Sequence, residues 1–221
     1  MQSLHPAQQL VIWAIPVLFA ITIHEVAHGW VANKLGDPTA RMLGRLTLNP
    51  IKHIDPVGTI LVPAVLMLIG GFLFGWAKPV PVSPQNLRKH RYGMAWVAVA
   101  GPVSNIIQAI VWAVIIKLAI ESQAALGWVA EPLYLMGLAG VSINLSLAVL
   151  NLLPILPLDG GRVVDSLLPG PLSAKFSQLE PWGLWIVLAL IMTKLLGVIM
   201  APPYYALRGM IGALVGLGDA L

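Results

Sequence analysis

Residues 7–33 read AQQLVIWAIPVLFAITIHEVAHGWVAN. From Leu10 the run is apolar, yet its second half holds His24, Glu25 and His28. A membrane-spanning helix needs about 20 mainly apolar residues, and a charge inside one costs about 2.5–3.5 kcal/mol on insertion scales. On a helix, positions 24 and 28 lie little more than a turn apart and project from one face. This is the H-E-x-x-H pattern, in which two imidazoles bind zinc and the intervening carboxylate acts as general base. Glu25, at the edge of that face, reaches the attacking water without being a ligand. The bland alternative is two interfacial histidines and a snorkelling glutamate. Against it, no Lys or Arg falls on the turn of Glu25 to offset its charge.

The whole chain belongs to the same solvent class. Its 221 residues are 58% hydrophobic and 10% charged, where soluble domains carry about 25% charged residues. The mean hydropathy is +0.85. Such a chain needs lipid as its solvent, which excludes a soluble zinc peptidase. The net charge of +4 sits in clusters at the ends of apolar runs, a pattern of membrane orientation and not of nucleic-acid binding. Cysteine is absent, so there is no disulfide, thiolate nucleophile or Cys-ligated zinc. The N-terminus lacks a basic n-region, and the first apolar run reads as a retained helix, not a signal peptide.

Apolar runs cover about 7–33, 57–76, 94–120, 132–156 and 182–200, and the Gly-rich tail 204–221 reads as a last span or an interfacial helix. The expected fold is an all-α polytopic membrane protein with five to six transmembrane or re-entrant segments. It forms one domain over 1–221, with a core at about 7–170 and C-terminal helices at 182–221. Lys34, Arg41, Arg45 and Lys52 follow the first run, and Lys78, Arg88, Lys89 and Arg91 precede the third. The positive-inside rule puts both flanks in the cytoplasm, so the run 57–76 is expected to enter and return, with Gly70–Gly71 at its turn. The next residues, AKPVPV at 77–82, are extended by their alternating prolines and are expected to form a small β element on the cytoplasmic side.

Zinc in a catalytic site takes a third protein ligand and keeps one position open. The candidates are His5, His53, His90, Asp55, Asp159 and Asp165. Asp159 stands out in NLLPILPLDGGRV (151–163), where Pro154 and Pro157 break the fourth run and two glycines free the backbone. Irregular backbone at membrane depth is tolerated where it builds a site. The alternative for Asp159 is an N-cap for GRVVDSLL.

Several motifs together resemble the site-2 protease family, zinc metalloproteases that cut within membranes. They are HEVAH at 24–28, AGPVSN at 100–105 and NLLPILPLDGGR at 151–162. The segments GRLTLNPIKHIDPVGT (44–59) and FGWAKPVPV (74–82) look like the compact prokaryotic branch without a PDZ domain. The resemblance implies one zinc ion per chain on His24, His28 and Asp159, with Glu25 as the base. It implies that Asn105 lies near the active site, where its amide can serve a substrate carbonyl or the oxyanion; the alternative is a helix–helix hydrogen bond. Asn144 and Asn151, seven apart on one face of the fourth run, are candidates for substrate binding or for interhelical packing. The implied partners are a transmembrane protein substrate and the lipid bilayer, and the implied place is a prokaryotic cell membrane with the site toward the cytoplasm. The departure from the family pattern is at the ends: no extra helix precedes HEVAH and no sensor domain follows the last run. The rival reading is a non-proteolytic zinc-binding scaffold or metal-ion carrier. Carriers usually place ionisable residues on several helices, whereas the third and fifth runs offer only Lys117 and Lys194.

Overall fold

The first apolar run folds as one helix, α1 (Pro6–Lys34), with Pro16 inside it and Lys34 in its last turn. A computed structural model describes residues 6–62, 65, 77–88, 90–218 and 221. The third and fourth runs form α2 (His90–Glu121) and α3 (Ala130–Asn151). α2 packs against both α1 and α3, and α1 also meets α3. The seams use small residues: Ala20, Ala98, Ala109, Ala113, Ala139 and Ala148 are all buried. Lipid tails are as apolar as a protein core, so membrane helices associate by close packing and interhelical hydrogen bonds. The rest of the pattern is inside out. Trp13, Phe19, Ile107, Val111 and Leu118 face outward, while Asn105 and Asn144 are fully buried.

After α3 the chain turns through Pro154 and Pro157 into two short helices, α4 (Asp159–Leu167) and α5 (Gly170–Ser177). The apolar run at 182–200 is not one continuous helix. The run divides at Lys194, whose φ of 60° is left-handed. It yields α6 (Gly183–Met192) and α7 (Leu195–Val215). At 1.5 Å per residue α6 covers about half of a ~30 Å hydrocarbon core, so the crossing element is α7. Most of the tail 204–221 therefore belongs to a span. Among the described residues four helices are long and apolar enough to cross a membrane, against five to six segments expected. The middle of 57–76, with Gly70–Gly71, lies outside the described residues. Its start is a π-helical turn over Pro56–Leu61, capped by Asp55, whose Oδ1 accepts from Val57 N–H at 2.9 Å and Gly58 N–H at 2.7 Å.

The expected β element is also corrected, since the described residues contain no strand. Residues 77–83 instead form a strap held by isolated bonds. Lys78 N–H donates to His53 O at 2.9 Å, and Arg45 Nη2 donates to Lys78 O at 2.9 Å. At the other end Ser83 N–H donates to Asp37 Oδ2 at 2.7 Å, and Arg88 N–H donates to Leu35 O at 3.0 Å. Proline carries no N–H, so Pro79 and Pro81 leave this strap unable to complete a ladder on the edge they face.

Candidate metal centre

The centre is made where α1 packs against Gly101 of α2. At Gly101 a Cβ atom would collide with the rings of both His24 and His28, so the AGPVSN motif needs glycine there. His28 Nδ1 lies 2.7 Å from Val97 O. A carbonyl only accepts, so this nitrogen carries a proton, and in the neutral ring that a metal needs His28 Nε2 is bare.

The tautomer of His24 follows from a longer chain of bonds. Asn144 Nδ2 donates to Gly140 O at 2.8 Å, which orients its amide and leaves Oδ1 to accept from Asn105 Nδ2 at 2.9 Å. Asn105 Nδ2 also donates to Ala20 O at 3.2 Å. Asn105 Oδ1 must then face His24 Nδ1, 2.6 Å away. His24 Nδ1 carries the proton, and its Nε2 is bare as well.

Two bare nitrogens thus face each other, Nε2 to Nε2, at 3.1 Å. Asp159 is the third corner of the group and turns a different oxygen to each imidazole, with Oδ2 at 3.2 Å from His24 Nε2 and Oδ1 at 3.4 Å from His28 Nε2. Four-coordinate zinc with bonds of about 2.0–2.1 Å to N and O has ligand–ligand edges of about 3.3–3.4 Å. The three separations lie close to that edge length, the two to Asp159 ending on different oxygens of its carboxylate. Asp159 Oδ2 is buried and has no hydrogen-bond partner, an atom that a cation would satisfy. The donor set is one that suits zinc. Among the described residues this is the only group of three or more His, Cys, Asp or Glu side chains placed to hold a metal ion.

The other ligand candidates are engaged elsewhere. His53 Nε2 donates to Thr47 O at 2.9 Å, and Asp165 Oδ1 accepts from the hydroxyls of Ser173 at 2.7 Å and Ser177 at 3.1 Å. Asp55 caps its π-turn. His5 and the side chain of His90 lie outside the described residues. Asp159 is not an N-cap: the cap position of α4 is Leu158, and no side chain caps that helix.

Glu25 Oε2 accepts from Val80 N–H at 2.8 Å. The strap thus passes directly beside the carboxylate, and Val80 packs where Gly29 leaves α1 without a side chain. The sequence marked 77–82 as extended and as a β edge. The alternation K-P-V-P-V already left Val80 as the sole N–H donor across residues 79–81, but its target was not visible.

The three asparagines take different places, and Asn105 lies beside His24 as the resemblance implied. Asn105 and Asn144 are fully buried and sit behind His24, not over the open side of the triangle. Both amide hydrogens of Asn105 are in use, so a direct bond to a substrate carbonyl has no free donor in this arrangement. Asn151 Nδ2 turns back to Leu147 O of its own helix at 3.0 Å.

Comparison with known proteins agrees with this chemistry. The description Peptidase family M50 matches residues 115–193, a stretch that contains Asp159. YwhC of Bacillus subtilis, which bears the name of a zinc metalloprotease, is 39% identical over 202 residues, covering 90% of this chain and 88% of that one. Rip2 of Mycolicibacterium smegmatis, similarly named, is 28% identical over 181 residues, 81% of this chain and 66% of that one. Rip2 of Mycobacterium tuberculosis is 29% identical over 152 residues, 67% of this chain and 54% of that one. No solved structure matches at a significant level. An extensive relative in YwhC and a family match over the Asp159 region lead to one conclusion: the chain belongs to peptidase family M50, the site-2 protease family, and is a zinc-dependent membrane metalloendopeptidase.

Proposed function

We propose that this enzyme hydrolyses peptide bonds of transmembrane protein substrates near the cytoplasmic face of a prokaryotic cell membrane. His24, His28 and Asp159 hold the zinc, and Glu25 is the general base. The observation that carries the reading is the close approach of the two ring nitrogens to each other, 3.1 Å, and to the two oxygens of Asp159, 3.2 and 3.4 Å, with Glu25 on the same helix turn. Bound there, zinc supplies a Lewis acid that acidifies water and polarises a carbonyl. Glu25 removes a proton from the attacking water and delivers it to the leaving amine nitrogen. Val80 N–H occupies one carboxylate oxygen, which leaves Oε1 for the water.

Depth follows from α1. His28 lies six residues before Lys34, about 9 Å at 1.5 Å per residue. Lys34, Arg41, Arg45 and Lys78 lie on the elements at this end of the bundle, which supports a cytoplasmic assignment for it.

A substrate helix must unwind before it can be cut, and its freed backbone then needs partners. The strap supplies them unequally. The Val80 N–H is taken by Glu25, while the edge carrying Pro79 and Pro81 presents carbonyls alone. A substrate strand added there donates its own N–H groups and receives none in return. Asn151, near the end of α3, is a further partner for it.

The test is cleavage of a transmembrane substrate in liposomes by wild type and Glu25→Gln, with zinc content measured on both. Glu25→Gln should keep its zinc and lose about 10²–10⁴-fold in rate, the usual worth of a general base. Cleavage equal to wild type overturns the assignment of Glu25.

A further inference from the structure

The far end of the bundle holds a feature the protease chemistry does not use. α7 (Leu195–Val215) carries a single charged side chain within its length, Arg208, seven residues before its end. That places its Cα about 10 Å inside the helix terminus. Ionisable residues at such depth are costly and normally face the bundle interior, a partner or a site. Arg208 is half-buried, whereas its neighbours Tyr205, Gly209 and Met210 are exposed. Among the described residues no carboxylate lies within salt-bridge distance of it.

Arg208 opens instead onto a cavity of about 350 Å³. Its wall comes from α1, α3 and α7: Gln9 and Trp13, Leu138 and Ser142, and Tyr204 beside Arg208. The Tyr204 hydroxyl donates to Ser142 Oγ at 3.3 Å. None of the cavity's lining residues is His24, Glu25, His28 or Asp159, and Gln9 and Trp13 precede His24 by 15 and 11 residues on α1, about 22 and 16 Å along the helix. This is therefore not a subsite of the protease cleft.

The chemistry of the wall selects a ligand. A guanidinium presents a planar fork of donors that matches phosphate. Hydroxyls and an amide stand beside it, and Trp13 and Leu138 are apolar. Among the described residues, Leu221 included, the lining contains no Asp or Glu side chain, so a choline or ethanolamine head would set an ammonium without a side-chain partner against Arg208. The volume suits a phosphoglycerol head and its first methylenes, with the acyl chains left in the bilayer. We infer that this cavity is a binding site for an anionic phospholipid, whose phosphate pairs with Arg208 and whose glycerol head lies against Ser142, Tyr204 and Gln9. Seated there, the lipid bridges α7 to α1.

The test uses the full chain in a neutral maltoside detergent. Phosphatidylglycerol, phosphatidylcholine and inorganic phosphate are each titrated, with retained lipid read by native mass spectrometry and the unfolding midpoint read in parallel. Phosphatidylglycerol should stay bound and raise the midpoint, while the other two do neither. Arg208→Gln should weaken phosphatidylglycerol binding about tenfold or more, the loss of a charge-assisted pair, and should not lower the midpoint of the lipid-free protein. Equal binding of the two lipids, or unchanged binding by Arg208→Gln, overturns the site. A full midpoint shift from inorganic phosphate alone makes it a free-anion site and overturns the lipid assignment. Should Arg208→Gln fail to fold, Leu138→Trp decides: filling the cavity with Arg208 in place must abolish retention, and retained lipid overturns the proposal.

Discussion

Asn105 decides which nitrogen of His24 faces the cluster, and it does so without touching the open side. A bare Nε2 on His24 traces back through Asn105 and Asn144 to the carbonyl of Gly140. A partner behind a ligating histidine typically carries 10–100-fold of metal affinity. Asn105→Ala should therefore weaken zinc binding about 10–100-fold, read by competition with a chromophoric chelator. Asn144→Ala should act in the same direction and less, because Ala20 O still holds Asn105. Asn105→Asp keeps an acceptor for His24 and should fall between. Unchanged affinity in Asn105→Ala would return this residue to simple helix–helix bonding. Asp159→Ala should release zinc altogether on dialysis, and full retention would leave Asp159 as an ordinary first residue of α4.

At the scale of elements the strap over residues 77–83 is the part that meets the catalytic carboxylate. Replacing Val80 by proline removes its N–H together with the side chain packed at Gly29, in a chain that already runs Lys-Pro-Val-Pro-Val, and Val80→Ala removes only the packing. A hydrogen bond to a charged group is worth about 1.5–3 kcal/mol, so Val80→Pro should lower kcat about 10–100-fold with zinc content unchanged. Val80→Ala keeps the N–H and should restore most of that rate. Equal rates for Val80→Pro and wild type would make the contact incidental. The strap is latched at Asp37, which is fully buried. Burial pushes its carboxyl up, but the Thr39 hydroxyl, the Asn86 amide and the N–H groups of Ser83 and Thr39 outweigh this and hold it below the ordinary range. A lowered folded value means the latch contributes fully above the unfolded carboxyl value, about 3.9, and loses strength as pH falls through the folded one. A spin label at Gln85 should therefore stay immobile from about pH 7 to pH 5. In Asp37→Asn the label should be mobile throughout that range.

For the whole molecule the prediction is topological. The metal centre and strap lie where α1 ends and α2 begins, and Ser122 lies at the opposite end of α2. A cysteine at Gln85 should label from the cytoplasm only, and one at Ser122 from outside only. Labelling of Gln85 from outside alone would invert the protein and move the chemistry to the other face. Much of this molecule is legible in local sequence. Apolar runs survive as helices because hydropathy is a property of composition, and lipid replaces the tertiary core as their solvent. His24 and His28 are legible because their spacing on α1 needs only a helical turn. The 182–200 run misleads for the converse reason: hydropathy cannot register one left-handed residue at Lys194, so a half-length helix and the start of the next looked like one span. Asp159 was visible as a suitable carboxylate, but ligand and cap differ only in where the side chain points. That direction depends on the placement of α1 against α4, 135 positions apart in the chain. The same holds for Asn105, Val80 and Arg208. Composition and spacing determined by themselves that this is a membrane protein with a zinc-binding pattern on its first helix. Tertiary structure alone decided which third group closes the triangle, which amide orients His24 and which backbone N–H meets Glu25, because hydrogen bonds and metal ligation act over about 2–3 Å, a precision that no one-dimensional spacing carries across helices.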